Sequence, residues 1–545
     1  MIILENNNGF KWEKDFGYNF KGYFYYKNNI YKGKEAIELL KKINNFKEFE
    51  KFVAEINGIF AIIINKQKIW IAVDNSRSFP IFYSNDYKYI SDSIDYIKEY
   101  INVSLDEVSL AEMLLGHNCS SGKTVYNEIK QVQLGEVIEL FGNNINSKFY
   151  FKHIHLNIER EKSKLLNEFS LVLERVFDRL IESLDGKCAL VPLSGGYDSR
   201  LIVSMLKKKN YKNVICYTYG NKNDYEVNYS RRIAKELGYK WYFIEYSKEK
   251  WKDFLKDEKT FKYLNYCSND SSLPHIQDFI AISTLKNNNM IPENSIVIPG
   301  FCGDLPAGSF IINENDLQTM SKEDLCEYIF NKHFINFKTN REIKNIIKER
   351  ISLYLNKMQQ DEIKDFEEYI SLYEGWFTSD RPSLWVVNSN RVNEFFDLEW
   401  RIPLWDSEFL KFWYSLSTKY RKNCNLYIEW IFNNLFIPLK IDILKPKKYI
   451  IKDKNDNNLK LFCKSIIKKI LIFISMNLGI DLYKRNNINN YNVLAIYIYK
   501  LIKNKDIFNY DFQSVHQIES LWWCEYKYGS DNVRKIIKKG ELYDK

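Results

Sequence analysis

A six-residue stretch rich in serine and glycine has the residue types of a phosphate-binding loop. It follows an apolar run, residues 188–193, and it reads Ser194-Gly195-Gly196-Tyr197-Asp198-Ser199. Glycine lets the backbone bend tightly and approach a phosphate, so that consecutive N–H groups point at it. The serine hydroxyls can donate hydrogen bonds, and the carboxylate of Asp198 can hold Mg²⁺ against the same phosphates. The stretch therefore predicts an anion site.

The residues on either side of this loop predict the elements that position it. The apolar run predicts a buried strand, and residues 200–206 have the spacing of a helix that starts near Ser199. A helix N-terminus adds the positive end of its dipole to the loop. An ordinary strand-to-helix turn is the structural alternative. The G-x-x-x-x-G-K-[ST] loop of kinases and GTPases is absent from the sequence.

The loop resembles the S-G-G-x-D-S pyrophosphate loop of the N-type ATP pyrophosphatases. The resemblance implies cleavage of ATP between the α and β phosphates, with an adenylated substrate and pyrophosphate as products. It also implies an α/β domain with a parallel sheet, of the adenine nucleotide alpha hydrolase-like type, and ATP and Mg²⁺ as cofactors. The next apolar run, residues 214–219, ends at Gly220, where adenine is expected to lie on the strand end.

Three later segments narrow the resemblance to asparagine synthetase and its relatives, which include β-lactam synthetases and lasso-peptide cyclases. Residues 300–304 read Gly-Phe-Cys-Gly-Asp and, with Gly308, resemble the G-x-G-x-D-E segment of the family. Residues 399–406 are similar to its E-x-R-x-P-x-x-D stretch, and residues 445–447 to its R-x-K segment.

The resemblance implies roles for single residues of these segments. Asp304 and Lys447 are expected to be catalytic, with Asp304 binding Mg²⁺ beside Asp198 and Lys447 stabilising the charge that develops at the adenylate. The expected nucleotide contacts are Leu193, Ser194, Gly195, Gly196, Asp198, Ser199, Gly220 and Gly300. Each segment alone has an ordinary explanation: a turn cap at Asp304, an Arg401–Asp406 ion pair, a solvated Lys447. Their occurrence together, in the order of the family, favours a ligase.

The sequence departs from the family at three positions near Asp304. Phe301 stands where the family has a Glu or Tyr, Cys302 replaces the second glycine, and Leu305 replaces the acidic residue after Asp304. Phenylalanine carries no proton. Deprotonation of the amine must therefore use another group, for which Glu374 is a candidate, or the ligase chemistry is altered.

The first 150 residues have the pattern of an antiparallel β domain. Short strand-like runs occur at residues 20–26, 58–65, 69–73, 81–83 and 136–140. Residues 57–61, 74–83, 91–93 and 135–137 resemble the class II glutamine amidotransferase domain, which implies an α+β Ntn-hydrolase-like fold over residues 1–155. That domain uses an N-terminal Cys, whereas position 2 is Ile and the first cysteine is Cys119. We therefore expect no glutaminase activity. An unrelated β domain is the alternative.

Length and composition indicate the number of domains and the classes of partner to expect. The 545 residues divide by pattern into the domain at 1–155, an asparagine-synthetase-like α/β domain at 160–455 and a helical C-terminal region at 456–545. The net charge of +9 comes from interleaved Lys and Asp/Glu, so nucleic acid is not an expected partner. The nine cysteines form no C-x-x-C pair, and no apolar run is long enough for a membrane. We expect a cytoplasmic protein without a signal peptide, and a homodimer is a candidate assembly.

These features together predict an ATP-dependent ligase that joins an amine to an adenylated carboxylate. The expected partners are a small-molecule or peptide carboxylate and an amine donor. Formation of an intramolecular or peptide amide is an alternative, as is thiolation or amidation of an acceptor such as tRNA or a sugar. A non-catalytic protein that retains ATP binding is the third possibility, because of Phe301 and Leu305.

Overall fold

The N-terminal part of the chain forms two β-sheets and four helices. The structure, a computed structural model, describes residues 1–314, 317, 319–443, 491–503 and 515–537. The strands are β1 (Ile2–Ile3), β2 (Glu13–Asp15), β3 (Tyr18–Tyr26), β4 (Asn29–Lys32), β5 (Asn57–Asn65), β6 (Ile69–Val73), β7 (Phe82–Ser84), β8 (Ile90–Ser91), β9 (Ile129–Gln131), β10 (Glu136–Phe141) and β11 (Asn144–Phe149). The helices are α1 (Gly33–Leu40), α2 (Phe46–Glu55), α3 (Ile94–Lys98) and α4 (Glu107–Gly116).

The larger of these sheets is antiparallel, and its central strands β5 and β6 are buried on both faces. Its order is β11-β10-β6-β5-β3-β2, with β4 on the side of β3, and the smaller sheet has the order β1-β8-β7-β9. Alternate residues of β5 enter different cores, because successive side chains of a strand point to opposite faces. Ile59, Ala61 and Ile63 lie in the core shared with the rest of the chain, and Phe60, Ile62 and Ile64 pack among residues of α1 and α2. The strands predicted near residues 20, 58, 69, 81 and 136 are thereby confirmed, while the Ntn-hydrolase-like assignment stays a prediction.

A parallel sheet carries the serine- and glycine-rich loop. Its strands are β12 (Ala189–Pro192), β13 (Val214–Gly220), β14 (Lys240–Glu245), β15 (Ile296–Val297) and β16 (Glu399–Trp400), in the order β14-β13-β12-β15-β16. All four neighbouring pairs are parallel, which confirms the predicted α/β class. The chain runs outward from β12 to β14 and then returns to the other side of β12. The order thus reverses at β12, so the carboxyl ends of β12 and β15 form the switch point of the sheet, where open α/β sheets commonly bind ligands.

Helices surround this sheet and continue beyond it. They are α5 (Lys162–Leu184), α6 (Tyr197–Lys208), α7 (Tyr225–Leu237), α8 (Lys248–Phe254), α9 (Glu258–Ser268), α10 (Phe279–Asn287), α11 (Lys322–His333), α12 (Arg341–Met358), α13 (Phe366–Asp380), α14 (Arg391–Phe395), α15 (Ser407–Tyr414), α16 (Thr418–Arg421) and α17 (Asn425–Ile431). Single π-helical or 3₁₀ turns occur at Arg381–Trp385, Val386–Asn390, Pro403–Trp405, Lys422–Cys424 and Phe432–Phe436. The described part of the C-terminal region contains the helices Tyr491–Leu501, Val515–Tyr528 and Ser530–Ile536.

Two helices begin earlier than their apolar spacing indicates. Helix α6 starts at Tyr197 because Gly196, with ψ of 169°, is the extended residue that precedes its first turn. Helix α7 starts at Tyr225 because the side chain of Asp224 accepts a hydrogen bond from the N–H of Glu226 and caps the helix.

None of the helices in the described ranges combines the length and the apolar character that a bilayer crossing requires.

Candidate functional site

The loop between β12 and α6 is closed by hydrogen bonds between its own residues. The N–H of Ser194 donates to Oγ of Ser199 at 3.1 Å, and the two hydroxyl oxygens lie 3.1 Å apart. The N–H of Gly196 donates to Oγ of Ser194, also at 3.1 Å. The strand-loop-helix arrangement predicted from the sequence is confirmed, and it places the N-terminus of a twelve-residue helix beside the loop. This is the geometry that binds phosphate at a helix start.

Leu193 and Gly220 lie at the ends of neighbouring strands. The N–H of Leu193 donates to the carbonyl of Tyr217 at 2.8 Å, and Oγ1 of Thr218 donates to the carbonyl of Leu193 at 2.7 Å. Gly220 ends β13 with φ of +124°, a conformation that L side chains rarely adopt. The two expected nucleotide contacts therefore border the same edge of the sheet as the loop.

The carboxylate of Asp198 joins this loop to the connection that leaves β15. Its Oδ2 accepts hydrogen bonds from the N–H groups of Gly303 at 2.8 Å and Asp304 at 3.3 Å. Asp198 and Asp304 are 106 residues apart in the sequence. The sheet order brings them together because both follow strands at the switch point.

Gly300 occupies the place where the two connections touch. A Cβ atom there would lie 2.8 Å from the backbone N of Ser199 and 3.2 Å from Cβ of Asp198. Real Cβ contacts essentially never fall below 3.0 Å, so a side chain at this position would push the connections apart. The structure thus gives Gly300 a steric role at the crossing of two loops.

The environment of Asp198 suits a cation. Burial, followed by the nearby carboxylate of Asp304, raises the pKa of Asp198 to about 7. Two carboxylates that resist joint ionisation are relieved by a positive charge between them. Among the described residues no cluster of three or more His, Cys, Asp or Glu residues could hold a metal ion. Mg²⁺ commonly takes only one or two carboxylates and completes its octahedron with phosphate oxygens and water. The pair Asp198 and Asp304 therefore fits Mg²⁺ that arrives with a nucleotide.

Residues 421–427, which the sequence analysis did not identify as functional, form hydrogen bonds with both aspartates or with the residues beside them. The hydroxyl of Tyr427, on α17, donates to Oδ1 of Asp198 at 2.7 Å. Sγ of Cys424 donates to the carbonyl of Asp304 at 3.4 Å, and Nε of Arg421 donates to the carbonyl of Pro306 at 3.0 Å. Residues 421–427 read Arg-Lys-Asn-Cys-Asn-Leu-Tyr and contain neither paired carboxylates nor paired glycines. No sequence signal identifies them.

Arg200 ties the loop to a distant part of the chain. Its guanidinium donates to the carbonyls of Gly195 at 2.8 Å, Ile441 at 3.1 Å and Ile443 at 3.0 Å. The side chain is fully buried, with the guanidinium carbon 4.7 Å from the ring centre of Phe436. The described chain stops at residue 443, so the expected catalytic Lys447 lies outside the described residues.

Two of the departures from the family pattern are core residues. Phe301 is 4% exposed, and its ring centre lies 5.1 Å from that of Trp405. Leu305 is 2% exposed. Both side chains fill apolar space beneath the loop that carries Asp304. Their apolar character is consistent with that packing and does not by itself remove the aspartate pair.

Glu374 lies in a buried ion pair behind the same loop. Its Oε2 accepts from Arg421 and lies 3.0 Å from Nε2 of His155, while its Oε1 has no hydrogen-bond partner among the residues that the structure describes. Although burial raises the pKa of Glu374, the positive charge of Arg421 and the contact with His155 outweigh burial and hold it below its usual value. Glu374 is therefore a carboxylate with one free oxygen, and Arg421 connects it to the carbonyl of Pro306.

The segment at residues 399–406 forms ion pairs at the base of the sheet. Arg401 contacts Glu399 at 2.7 Å, and Asp406 accepts two hydrogen bonds from Arg179 of α5 at 2.9 and 2.8 Å. The expected alternative of an Arg401–Asp406 pair is wrong, because each residue has a different partner. The guanidinium of Arg401 also lies 4.4 Å from the ring centre of Tyr23, so this segment joins the N-terminal strands to the parallel sheet.

Comparisons with known proteins give a match to a family model and matches to solved structures. One of these structures is an NH3-dependent NAD synthetase from Campylobacter jejuni subsp. jejuni NCTC 11168 in complex with the nitrate ion. It is 14% identical over 36% of this chain and 99% of that chain, with a TM-score of 0.20, which is too distant for an inference. No curated protein matches the sequence. The family model named Asparagine synthase matches residues 186–260, which include β12, the loop and the start of α6. Residues 186–260, which include Asp198 and its loop but not Asp304, are therefore similar to the asparagine synthase family.

Proposed function

We propose that the protein is an ATP-dependent ligase that adenylates a carboxylate and then joins it to an amine, releasing pyrophosphate and AMP. The observation that carries this proposal is the meeting of Asp198 and Asp304 from two loops, above a helix N-terminus and a glycine turn. An enzyme for such a reaction must bind phosphates, a metal ion and an acid substrate. The switch point of a parallel sheet is a common binding site for ligands of this kind.

In the first step an oxygen of the substrate carboxylate attacks the α-phosphorus of ATP. The bond from this phosphorus to the oxygen that bridges to the β-phosphate breaks, and pyrophosphate leaves. The amide groups of the loop and the start of α6 are the proposed donors to the phosphates. Asp198 and Asp304 would hold Mg²⁺, which neutralises phosphate charge when it is bound. In the second step the amine nitrogen attacks the acyl carbon, AMP leaves and the nitrogen loses a proton.

Lys447 is the proposed cation for the charge that develops at the α-phosphate. Ile443 is the last described residue before it, and its carbonyl accepts from the arginine that also binds the loop. Lys447 follows Ile443 by only four positions in the sequence, and this proximity supports the proposal. Removing one preorganised donor of this kind typically costs about 10²–10³-fold in rate.

Glu374 is the proposed acceptor for the proton of the amine. It is ionised, buried and has one oxygen without a partner, and Phe301 has no proton-transfer group. The amine is proposed to come from solution or from the substrate itself. Ile2 in β1 offers no nucleophile, and Cys119 is fully buried, with its pKa raised well above the usual value by burial.

Release of pyrophosphate with a panel of carboxylic acids tests the proposal. The panel includes acids that carry their own amine and peptides with a free carboxylate, each with and without ammonia. We expect Mg²⁺-dependent release of pyrophosphate and AMP with at least one acid, abolished in Asp198→Asn and lowered about 10²–10³-fold in Lys447→Met.

Lys445→Met is the matched control for Lys447→Met, because both remove a cation from the same run. Tight Mg²⁺-dependent ATP binding without turnover for any acid would favour the non-catalytic alternative. Turnover that survives in a folded Asp198→Asn protein would contradict the assignment of the site.

A further inference from the structure

Tyr427 completes the hydrogen bonding of the Asp198 carboxylate. The backbone N–H groups of Gly303 and Asp304 donate to Oδ2, and the hydroxyl of Tyr427 donates to Oδ1 at 2.7 Å. Each oxygen thus has a donor from a part of the chain other than the loop itself. A carboxylate that accepts hydrogen bonds at both oxygens is restricted to one orientation about its Cβ–Cγ bond.

The rest of the Tyr427 side chain lies in an apolar cluster. It is fully buried, and its ring centre is 5.9 Å from that of Trp413 and 6.2 Å from that of Phe169. These contacts fix the ring and aim the hydroxyl at Asp198. A phenylalanine has the same ring and would keep the packing while removing only the donor.

We propose that Tyr427 is a positioning residue that orients Asp198 for Mg²⁺, an inference that rests on the proposed function. A ligand carboxylate that is already ordered loses less freedom when the metal binds. Groups that hydrogen-bond to metal ligands in this way typically change metal affinity 10–100-fold when they are removed. The hydroxyl of Tyr427 donates its hydrogen bond to Asp198, so its removal should change the affinity for Mg²⁺ and not the binding of the nucleotide base.

The test compares Tyr427→Phe with Tyr528→Phe in the full-length protein. Tyr528 is a matched control because it is also buried and its hydroxyl donates to a carboxylate, Oδ1 of Asp270, at 2.9 Å. ATP binding is measured by calorimetry over a series of Mg²⁺ concentrations, and thermal unfolding is measured without metal. We expect the half-saturating Mg²⁺ concentration to rise about 10–100-fold in Tyr427→Phe and to stay unchanged in Tyr528→Phe. The affinity for ATP in the absence of Mg²⁺ should be the same in the wild type and in both variants.

The outcomes separate the inference from the function on which it rests. Equal Mg²⁺ dependence in both variants and the wild type would overturn the role of Tyr427 and leave the ligase proposal intact. A wild-type protein that binds ATP without regard to Mg²⁺ would overturn both. A Tyr427→Phe protein that does not fold would assign the hydroxyl to folding, which also overturns the inference.

Discussion

Asp198 is subject to opposing influences at a single carboxylate. Burial and the charge of Asp304 favour its protonated form, whereas the hydrogen bonds from Tyr427, Asp304 and Gly303 favour the ionised form. Burial and the charge of Asp304 outweigh the hydrogen bonds, so the pKa of Asp198 rises from 3.8 to about 7. Because the folded pKa exceeds the unfolded one, the protonated group stabilises the fold below pH 3.8, and this contribution is lost as the pH rises through about 7.

This shift predicts a pH dependence for metal binding. Below pH 7 a proton must leave Asp198 before the carboxylate binds Mg²⁺, so the affinity for Mg²⁺ in the presence of ATP should fall about tenfold for each pH unit. Calorimetric titrations between pH 5.5 and 8 measure this slope.

The raised pKa of Asp198 also predicts that the stability of the metal-free protein depends on pH. Asn at position 198 carries no charge, so the melting temperature of wild type relative to Asp198→Asn should decrease from pH 5 to pH 8. A constant difference over that range would mean that the carboxylate titrates near its ordinary value.

At the scale of elements, two connections from one sheet edge form the candidate site. The strand, loop and helix from β12 to α6 were predictable, because their apolar spacing, glycines and serines are consecutive in the sequence. The resemblance of residues 300–304 pointed to Asp304, which lies in the connection that meets Asp198. Tyr427 and Arg200 were not predictable in these roles. Their partners lie 229 and 243 residues away, and single long-range hydrogen bonds leave no local pattern.

Two glycines in these connections are expected to be required for different reasons, one for packing and one for ATP binding. In Gly300→Ala the new Cβ would meet the backbone of Ser199 at 2.8 Å, so the variant should lose ATP binding and also melt at a lower temperature. In Gly195→Ala the nearest atom lies at 3.4 Å, an ordinary contact. That variant should keep the melting temperature and bind ATP more weakly, because a side chain at this position restricts the close approach of a phosphate to the loop proposed to bind it.

Calorimetric binding and thermal unfolding of both variants separate these constraints. Normal ATP binding by Gly195→Ala would show that the phosphates do not approach the loop closely.

At the scale of the whole molecule, the N-terminal sheets are fastened to the helices that follow the parallel sheet. Arg350 of α12 donates to Glu112 and Asp106 of the N-terminal part, at 2.8 Å each. Asn57 accepts from the N–H of Ser407 at 2.9 Å, and Arg391 donates to the carbonyl of Ser78. These contacts join the N-terminal part to the part of the chain that contains the parallel sheet, and we expect them to stabilise the fold.

Arg350→Ala tests this support. Glu112 is fully buried, and removal of one partner of a buried ion pair costs about 3–5 kcal/mol. Lys348→Ala is the control: Lys348 pairs with Glu327 at 2.7 Å, with side chains 31% and 40% exposed. Exposed pairs of this kind contribute about 0–1 kcal/mol. We expect a much lower melting temperature for Arg350→Ala than for Lys348→Ala. Equal melting temperatures would mean that the N-terminal contacts do not support the fold.

The hydrogen bond from Arg200 to Ile443 also has a consequence for the protein during its synthesis. The two residues are 243 positions apart. At about 5–20 residues per second, the ribosome needs roughly 12–50 s to add the intervening chain. For most of that interval the loop exists without Tyr427, and until its end it lacks the carbonyls of Ile441 and Ile443 that accept from Arg200. A nascent chain should therefore lack the proposed cleavage of ATP until residue 443 has been added, and a fragment released before that point should lack it too.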